Sequence, residues 1–531
     1  MHDIVLRGGT VYDGQGGTPY VANVAIDGDR ITAVMPGIGD RGRKEIDARG
    51  LAVAPGFINM LSWAIPSLIA DGRAPSDVSQ GVTLEVFGEG SSMGPLTDRM
   101  RQDHIERQTD IKYDVPWTTL REGLEHLVRL GVSTNVASFV GATTLRVHEI
   151  GYDDRPPSAA ELERMRRLAR EAAAEGALGV GSALIYTPGT FASTDELVAL
   201  CEAAGGTYIS HLRNEGDRLL EAVDELVEIV RRGRVRGEIY HLKQAGRANW
   251  SKLPAVIERV EGARATGLDI SADMYPYTAG ATGLNASMPP WVQEGGFKAW
   301  FARLRDPALR ERVAREMRAP GGDWENLYLA AGGAEGVLLV SFKSERLKPL
   351  TGRTLAEVAT LRSMSPEEAA VDLVVEDESR VGACYFVASE DNVRRQVALP
   401  WMSFGSDEGA PAPEGVFLKS NPHPRAYGTF SRLLGRYVRD EGLASLEDVI
   451  RRLTSFPAEN LRLDRRGRLA SGYFADVVAF DASAIRDHAT YADPHRYATG
   501  MVHVFVNGEH VLRDGEHTGA RPGRVLAPRR D

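Results

Sequence analysis

The sequence predicts an α/β protein built on a (β/α)8 TIM barrel, with a small β-sandwich domain formed from both termini and an inserted lid subdomain. Three observations support this prediction. Short apolar runs alternate with helical patterns through the middle of the chain, both ends show the same strand-and-turn pattern, and one interval between barrel strands is too long for a simple connection. We therefore divide the chain into a β module (1–54 and 466–531) and a barrel (55–465).

The two ends of the chain predict short β-strands joined by tight turns. In residues 1–50, apolar runs are separated by Gly-Gly, Asp-Gly and Gly-Asp pairs, which are typical of turns between strands. Near the other end, residues 476–480 and 502–506 form similar runs, and Asn507-Gly508 closes the second one. We expect one β module built from both termini, with the barrel inserted between its halves.

The middle of the chain contains eight short apolar runs that alternate with helical patterns. Two of the helices begin at candidate capping boxes, Ser158 with Glu161 and Ser193 with Glu196. A doubly wound open sheet is the alternative, but eight strands without a Gly-rich phosphate turn favour the barrel. The predicted barrel strands are Leu51–Ile58, Thr83–Phe87, Thr134–Phe139, Leu178–Ser182, Gly206–Ser210, Glu238–Tyr240, Gly267–Ala272 and Trp401–Gly405.

The interval between the seventh and eighth barrel strands is too long for one connection. Within residues 283–350 it contains a Pro-Pro-Trp segment (289–291), a charged helical stretch (308–318) and a short apolar run (336–340). We interpret residues 283–350 as a small subdomain inserted at the barrel mouth and as a candidate lid.

Composition and charge exclude several classes of protein. The chain has 531 residues, of which 43% are hydrophobic and 26% charged, and this argues against disorder. A net charge of −10 without a block of Lys or Arg disfavours nucleic acid or an anionic membrane as a partner. The two cysteines, Cys201 and Cys384, form no CxxC pair, which excludes a Cys-rich zinc site. No apolar run reaches ~18 residues and no signal peptide is recognisable, so we expect a cytoplasmic protein.

Two histidines and an aspartate follow predicted barrel strands. Barrel enzymes carry their catalytic groups at the carboxyl ends of the strands. The fifth run is followed by His211, the sixth by His241 and the eighth by Asp407. Neutral imidazole binds zinc well, and a neighbouring carboxylate can bind a metal or transfer a proton. For one histidine alone, a buried structural residue is the better interpretation, but three such residues at converging strand ends favour a site.

Further polar residues follow the same strands. Lys243 lies two residues beyond His241, Tyr275 follows the seventh strand, and Arg425 follows the eighth. Arginine binds a carboxylate through two parallel hydrogen bonds and lysine acts as a point charge, so these residues suit an anionic substrate. The alternatives, a solvated Lys243 and an Arg425 that caps a loop, stay equally open.

Longer stretches of the sequence resemble a known family. The β termini, the barrel and the His-His-Asp pattern are similar to the amidohydrolase superfamily, and the closer resemblance is to the N-acyl-D-amino-acid deacylases (D-aminoacylases). The resemblance covers essentially the whole chain and implies a metal-dependent hydrolase of amide bonds. The matching stretches are VAPGFIN (53–59), GVTLEVFGEG (81–90), LIYTPGTFASTDEL (184–197), ISHLRNEGD (209–217), HLKQAGRANW (241–250), DMYPYTAG (273–280), FGSDEG (404–409), HPRAYGTFSRLLGRYVRDEG (423–442), LTSFPAENLRL (453–463), GRLASGYFADVVAFD (467–481) and TGARPGRVL (518–526).

The chain departs from the family's pattern at three places. The family usually has a His-x-His pair at the end of strand one, where this chain has Leu61 and Trp63. At the end of strand two the family usually has Gly-Asn-Cys, with the cysteine as a zinc ligand, and this chain has Gly90 at the cysteine position. A Gly-His pair after strand three is replaced by Gly141-Ala142. We expect Trp63 to fill the position of a second metal ion and to narrow the pocket.

Two hypotheses follow from these departures. In the first, Glu89 replaces the missing sulfur ligand, and one Zn2+ ion is held by Glu89, His211 and His241. In the second, the chain has lost its metal chemistry and is an inactive barrel that serves as a binding protein. We favour the first, because random loss would not be expected to retain the other candidate residues together.

The predicted reaction acts on a small-molecule substrate with a carboxylate. We expect Asp407 to act as general base and then as general acid on a metal-activated water. By resemblance, Lys243, Tyr275 and Arg425 bind the substrate carboxylate, and the substrate is an N-acyl-D-amino acid or a related amide. A hydrolase of cyclic amides, imides or lactones that uses the same site is the alternative. Whether the chain forms a homo-oligomer stays open.

Overall fold

The N-terminal part of the chain forms the first strands of the β module. The computed structural model describes residues 1–320 and 323–529. Its first strands are β1 (His2–Val11), β2 (Tyr20–Asp27), β3 (Arg30–Met35), β4 (Gly42–Asp47) and β5 (Ala52–Pro55). β2 lies antiparallel to both β1 and β3, whereas β4 and β5 pair in parallel with successive halves of β1.

The barrel follows as alternating strands and helices. Its strands up to the insertion are β6 (Phe57–Asn59), β7 (Val82–Phe87), β8 (Asn135–Ser138), β9 (Val140–Gly141), β10 (Gly179–Ala183), β11 (Thr207–His211), β12 (Arg236–Ile239) and β13 (Ile270–Met274). Its helices are α1 (Ile65–Ala70), α2 (Pro75–Val78), α3 (Asp98–Arg107), α4 (Leu120–Leu130), α5 (Ala142–Glu149), α6 (Ala159–Glu175), α7 (Thr194–Ala204), α8 (Leu219–Gly233) and α9 (Leu253–Ala265). β6 to β8 and β9 to β13 pair in parallel, and β8 and β9 are two parts of the third barrel strand.

The helix α6 illustrates how the sequence determines the outer layer. Ser158 and Glu161 form the predicted capping box, in which each side chain accepts a hydrogen bond from the other residue's backbone N–H. Met165 and Ala172 lie on the buried face, and Gly176 ends the helix in the left-handed conformation that glycine adopts without strain. Among the described residues, no helix is both long and apolar enough to cross a membrane.

The predicted insertion is present and extends further than the sequence indicated. It comprises β14 (Gly280–Gly283), α10 (Phe297–Arg305), α11 (Pro307–Arg318), α12 (Leu327–Ala330), β15 (Val337–Ser341), α13 (Leu355–Arg362), α14 (Pro366–Asp377) and β16 (Gly382–Tyr385). β16 lies between β14 and β15 in an antiparallel sheet, so the insertion ends near residue 385 rather than 350. β16, the central strand of this sheet, comes last of the three in the sequence. The insertion has a separate apolar core that stabilises it.

The last barrel strand closes the barrel against the first one. This part comprises α15 (Glu390–Val397), β17 (Met402–Phe404), α16 (Arg425–Arg432), a π-helix (Leu433–Asp440), α17 (Leu446–Leu453) and α18 (Ser455–Asn460). β17 pairs in parallel with β13. On its other side, the Met60 N–H donates to the Phe404 carbonyl at 3.2 Å, and the Asp407 N–H donates to the Leu61 carbonyl at 2.8 Å. The end of strand one is thereby held beside the end of strand eight.

The C-terminal strands join the N-terminal ones, as predicted. They are β18 (Val477–Phe480), β19 (Met501–Val506), β20 (Glu509–Arg513) and β21 (Glu516–His517), and β18 pairs antiparallel with β5. In the described chain, both sets belong to one nine-stranded sheet. Alternate residues of β18 face different cores: Val477 packs within the module, whereas Val478 packs against the barrel.

One predicted barrel strand divides between two sheets. The run Leu51–Ile58 is not a single strand, because β5 belongs to the module and β6 to the barrel. Gly56 lies between them, and a Cβ atom there would lie 2.2 Å from the Thr83 hydroxyl, so only glycine fits this crossing. Both short strands are completely buried, and a continuous apolar run therefore hides the boundary. Each of the other predicted runs overlaps an observed barrel strand.

Candidate metal centre

Four candidate side chains converge at the carboxyl ends of the barrel strands. His211 is the last residue of β11, His241 lies two residues beyond β12, Glu89 two residues beyond β7, and Asp407 three residues beyond β17. All four are buried. Because the carboxyl ends of parallel strands meet at one edge of a barrel, residues that are far apart in the sequence become neighbours here.

The loop after β7 explains why the carboxylate comes from Glu89. Gly88 and Gly90 flank it with φ angles of +112° and +67°, which L side chains rarely adopt. A Cβ atom at Gly90 would lie 2.7 Å from Cβ of Ala183, so this loop has no room for a ligand side chain at that position. The longer side chain of Glu89 reaches the histidines instead.

Two imidazole nitrogens and one carboxylate oxygen, each able to bind a metal ion, lie close together at this edge. Nδ1 of His211 is 2.9 Å from Nε2 of His241, and Oε1 of Glu89 is 3.2 Å from the first and 3.0 Å from the second. In the described part of the chain this trio forms a group with the spacing of metal ligands. Ligand atoms around a tetrahedral zinc ion, at bond lengths of about 2.0–2.1 Å, stand about 3.3 Å apart. The residues present therefore fit one zinc-sized cation.

The outer nitrogens of both histidines face Glu215. Its Oε1 lies 3.2 Å from Nδ1 of His241, and its Oε2 lies 3.5 Å from Nε2 of His211. Lys243 Nζ lies 2.8 Å from both Glu215 oxygens, which holds the pKa of the Glu215 carboxyl below its usual range against the effect of burial. A carboxylate behind a ligating histidine orients the ring and fixes its tautomer. Glu215 supplies such a carboxylate to both rings.

Two of the candidate residues have strained backbones. His241 has a φ of +33° and Asp407 a φ of +52°, in the left-handed region that non-glycine residues seldom adopt. The His241 N–H donates to Oδ1 of Asp273 at 2.8 Å, which offsets part of this strain. Strained residues of this kind cluster at functional sites. Nothing in the sequence pattern predicts the left-handed backbone at His241 or at Asp407.

The carboxylate of Asp407 is held between an indole and a guanidinium. Its Oδ1 accepts a hydrogen bond from Nε1 of Trp63 at 3.1 Å, and its Oδ2 lies 2.7 Å from Nη1 of Arg425. Burial raises the pKa of Asp407, and the positive charge of Arg425 opposes this shift. Nε and Nη1 of Arg425 form no aligned hydrogen bond among the described residues, so its contact with Asp407 is an ion pair.

A cavity of about 740 Å3 opens above these residues. Lys243, Tyr275 and Arg425 all line this cavity. The Tyr275 ring contacts both cations, with Arg425 Cζ 4.4 Å and Lys243 Nζ 5.8 Å from its centroid. Residues of the insertion, among them Thr282 and Tyr385, form another part of the wall. The insertion therefore covers the barrel mouth.

Sequence reasoning missed one residue of this site, Glu215, and two further polar residues lie near the group. His423 lines the same cavity, and its Nε2 lies 3.0 Å from the Ala279 carbonyl. Glu85 is also buried, and it accepts a hydrogen bond from Asn59 at 3.0 Å. The role of Glu215 was missed, although its position four residues after His211 was a usable signal.

A (β/α)8 barrel that joins two histidines, a glutamate and an aspartate at its strand ends defines the class of barrel hydrolases that act through a metal-bound water. The chain belongs to the amidohydrolase family, whose sequence pattern matches residues 136–512. It is 32% identical to the D-aminoacylase of Alcaligenes xylosoxydans xylosoxydans, over 99% of this chain and 97% of that protein.

Two solved structures extend this similarity to the whole fold. One is a D-aminoacylase with a binuclear metal centre, described as having one-metal activation and second-metal attenuation. It is 31% identical, covers 99% of this chain and 100% of its own, and has a TM-score of 0.82. The other is the N-acyl-D-glutamate deacylase of Bordetella bronchiseptica in complex with zinc and a phosphonate inhibitor, at 28% identity and a TM-score of 0.79, covering 99% of each chain. These similarities confirm the predicted fold and family.

Proposed function

We propose that this protein is a metal-dependent amidohydrolase that removes the acyl group from N-acyl-D-amino acids or related amides. The observation that carries the proposal is the convergence of Glu89 Oε1, His211 Nδ1 and His241 Nε2 within 3.2 Å of one another. Buried lone pairs at this spacing repel one another unless a proton or a cation lies between them. A D-aminoacylase at 32% identity and an N-acyl-D-glutamate deacylase at 28% identity both cover 99% of this chain, which supports the substrate class.

The proposed cofactor is a single Zn2+ ion held by Glu89, His211 and His241. Two imidazoles and one carboxylate, with a fourth position open to water, form a typical donor set of hydrolytic zinc sites. When bound, the ion acidifies a water molecule and polarises the scissile carbonyl group. The protein's part is to hold the three donors in a buried cavity, with Glu215 orienting both rings.

Asp407 is the proposed general base and acid. Its carboxylate lies at the mouth between Trp63 Nε1 and Arg425, and it lines the same cavity as the three donors. An ionised Asp407 accepts the proton of the attacking water and then donates it to the leaving nitrogen. Burial raises the pKa of Asp407, and the positive charge of Arg425 opposes this shift, which favours the ionised state that a base requires.

Lys243, Tyr275 and Arg425 are the proposed site for the substrate carboxylate. Arg425 is buried and lines the cavity, where its guanidinium can bind an anion. Lys243 Nζ lies 2.8 Å from His241 Nδ1. When Nε2 of His241 binds a cation, Nδ1 carries the proton and donates it to Glu215, which releases one Lys243 N–H for the substrate.

The test is to remove metal from the protein, restore it with ZnCl2, and measure both bound zinc and hydrolysis. We expect activity on N-acetyl-D-amino acids to exceed activity on their L-enantiomers and on hydantoins. Glu89→Ala should lose both zinc and activity, whereas Glu378→Ala, which removes an exposed carboxylate from the cavity wall, should retain zinc. Absence of bound metal after reconstitution, together with an unaltered Glu89→Ala variant, would overturn the proposal.

A further inference from the structure

One indole N–H connects two acidic side chains of the site, those of Glu89 and Asp407. Nε1 of Trp63 lies 3.0 Å from Oε2 of Glu89 and 3.1 Å from Oδ1 of Asp407, so a single hydrogen is shared between two carboxylates. The ring itself is 44% exposed at the barrel mouth, while its nitrogen points inward. An exposed tryptophan whose N–H is shared by two buried carboxylates has a specific local role that packing alone does not explain.

Barrel closure determines this position of the indole. The backbone N–H of Trp63 donates to the Glu408 carbonyl at 2.9 Å, and the backbone N–H of Asp407 donates to the Leu61 carbonyl at 2.8 Å. These bonds hold the end of strand one against the end of strand eight. Because Glu89 follows the neighbouring strand β7, the indole nitrogen lies between the carboxylates of Glu89 and Asp407.

A second cation does not fit this place. The lone pair of an indole nitrogen belongs to the aromatic system, so Trp63 is a donor only and cannot bind a metal. Leu61, at the other position of the missing pair, is buried and apolar. Every oxygen of the two carboxylates already has a partner: the histidine pair for Glu89 Oε1, the indole for Glu89 Oε2 and Asp407 Oδ1, and Arg425 for Asp407 Oδ2.

We propose that the indole N–H of Trp63 takes the place of the second cation of binuclear relatives, so that this chain binds one metal ion and excludes a second. The inference rests on the metal site of the proposed function. A neutral donor satisfies the facing carboxylates at Glu89 and Asp407 without the charge of an ion. The D-aminoacylase of similar structure is attenuated by its second metal. In this chain, excess divalent metal therefore leaves the rate unchanged.

The experiment is an equilibrium titration of metal-free protein with ZnCl2, with bound zinc counted by native mass spectrometry. Wild-type protein should stop at one equivalent. The Leu61→His/Trp63→His double variant, which restores a pair of imidazoles, should bind two, and Trp63→His alone should bind a weaker second equivalent. Trp291→His is the matched control, because Trp291 Nε1 also donates to a carboxylate, that of Glu316 at 2.7 Å, within the insertion; it should bind one.

The outcomes separate this inference from the proposed function. Two equivalents on the wild-type protein would overturn the inference alone, and no bound zinc would overturn the metal site and the inference together. A double variant with an unchanged circular dichroism spectrum that still binds one equivalent would also overturn it. If histidine at the buried position 61 prevents folding, the Trp63→His variant still tests the inference, because it replaces only one partly exposed side chain. The rate of wild-type protein should change less than twofold between one and ten equivalents of zinc.

Discussion

Nη1 of Arg425 lies 2.7 Å from Oδ2 of Asp407, and both side chains are buried. Burial raises the pKa of the Asp407 carboxyl, and the guanidinium acts against this shift by stabilising the carboxylate. The residue proposed to bind the substrate's carboxylate therefore also favours the ionised form of the proposed base. Binding and proton transfer share one cation, and a change at Arg425 should alter both.

The pH dependence should reveal this pair. Asp407 acts as a base only when ionised, so kcat/KM should fall as pH decreases through its raised pKa, at a pH above the ordinary aspartate value of about 3.9. Removal of the cation in Arg425→Met should move this acid limb to higher pH. The measurement is a pH profile on an N-acyl amide without a carboxylate, so that substrate binding is not affected. An acid limb that does not move would contradict the pairing.

Asp407→Asn should lower kcat by about 10²- to 10⁴-fold, which is the usual contribution of a positioned acid–base group. Asparagine keeps the shape of the side chain, and Trp63 Nε1 can still donate to its amide oxygen. The bound zinc, measured by mass spectrometry, should remain at the wild-type level. A variant that lost metal together with activity would show that Asp407 is a ligand rather than the base.

Glu215→Gln should weaken metal binding by about 10- to 100-fold, because a neutral amide replaces the negative charge that faces the outer nitrogens of both histidines. The change should be visible in a competition titration with a zinc chelator. Glu225→Gln is the matched control: Glu225 pairs with Arg213 at 2.8 Å on a neighbouring part of the barrel. Equal zinc affinity in wild type and Glu215→Gln would contradict the orienting role.

Arg425→Ala should raise KM for an N-acyl-D-amino acid by about 10- to 100-fold, the effect of losing a charge-assisted hydrogen bond of about 1.5–3 kcal/mol. The same variant should have a much smaller effect on KM for the methyl ester of that substrate, which has no carboxylate to bind. Steady-state kinetics on the acid and ester pair checks this difference. An equal change of KM for both substrates would mean that Arg425 acts on the cavity's shape and not on the carboxylate.

Stability should depend on Glu325, a buried carboxyl of the insertion that contacts the Glu215 backbone. Burial, with the nearby Glu215 charge, raises its pKa to about 8. A carboxyl with a raised folded-state pKa contributes stability that is complete below its unfolded pKa of about 4.3 and is lost as pH rises through about 8. Glu325→Gln should therefore raise the Tm by a few degrees at pH 9 and leave it nearly unchanged at pH 5.

Thermal unfolding followed by circular dichroism at both pH values checks this expectation. Glu335→Gln is the control, since Glu335 is an exposed carboxyl of the same insertion and its loss should leave the pH dependence intact. A Glu325→Gln variant that loses Tm equally at both pH values would show that the carboxyl acts through its hydrogen bond and not through its ionisation.

Periodicity and spacing were sufficient to predict the elements that depend on local sequence. Apolar runs, capping boxes such as Ser158 with Glu161, and turn residues predicted the barrel strands, their helices and the shared β module. They failed at Leu51–Ile58, because two strands in different sheets are both fully buried and no polar residue marks their boundary. The insertion extended beyond its predicted end because β16 pairs with strands that are distant in the sequence.

The sequence alone predicted Glu89, His211, His241 and Asp407 at the barrel mouth, because a parallel barrel places every strand's carboxyl end at one edge. Only the tertiary structure decided how they are paired. The contact of Trp63 with both carboxylates, the ion pair of Arg425 with Asp407 and the position of Glu215 behind two histidines depend on barrel closure and on left-handed backbones at His241 and Asp407. These contacts join residues far apart in the chain, at distances that strand spacing does not encode.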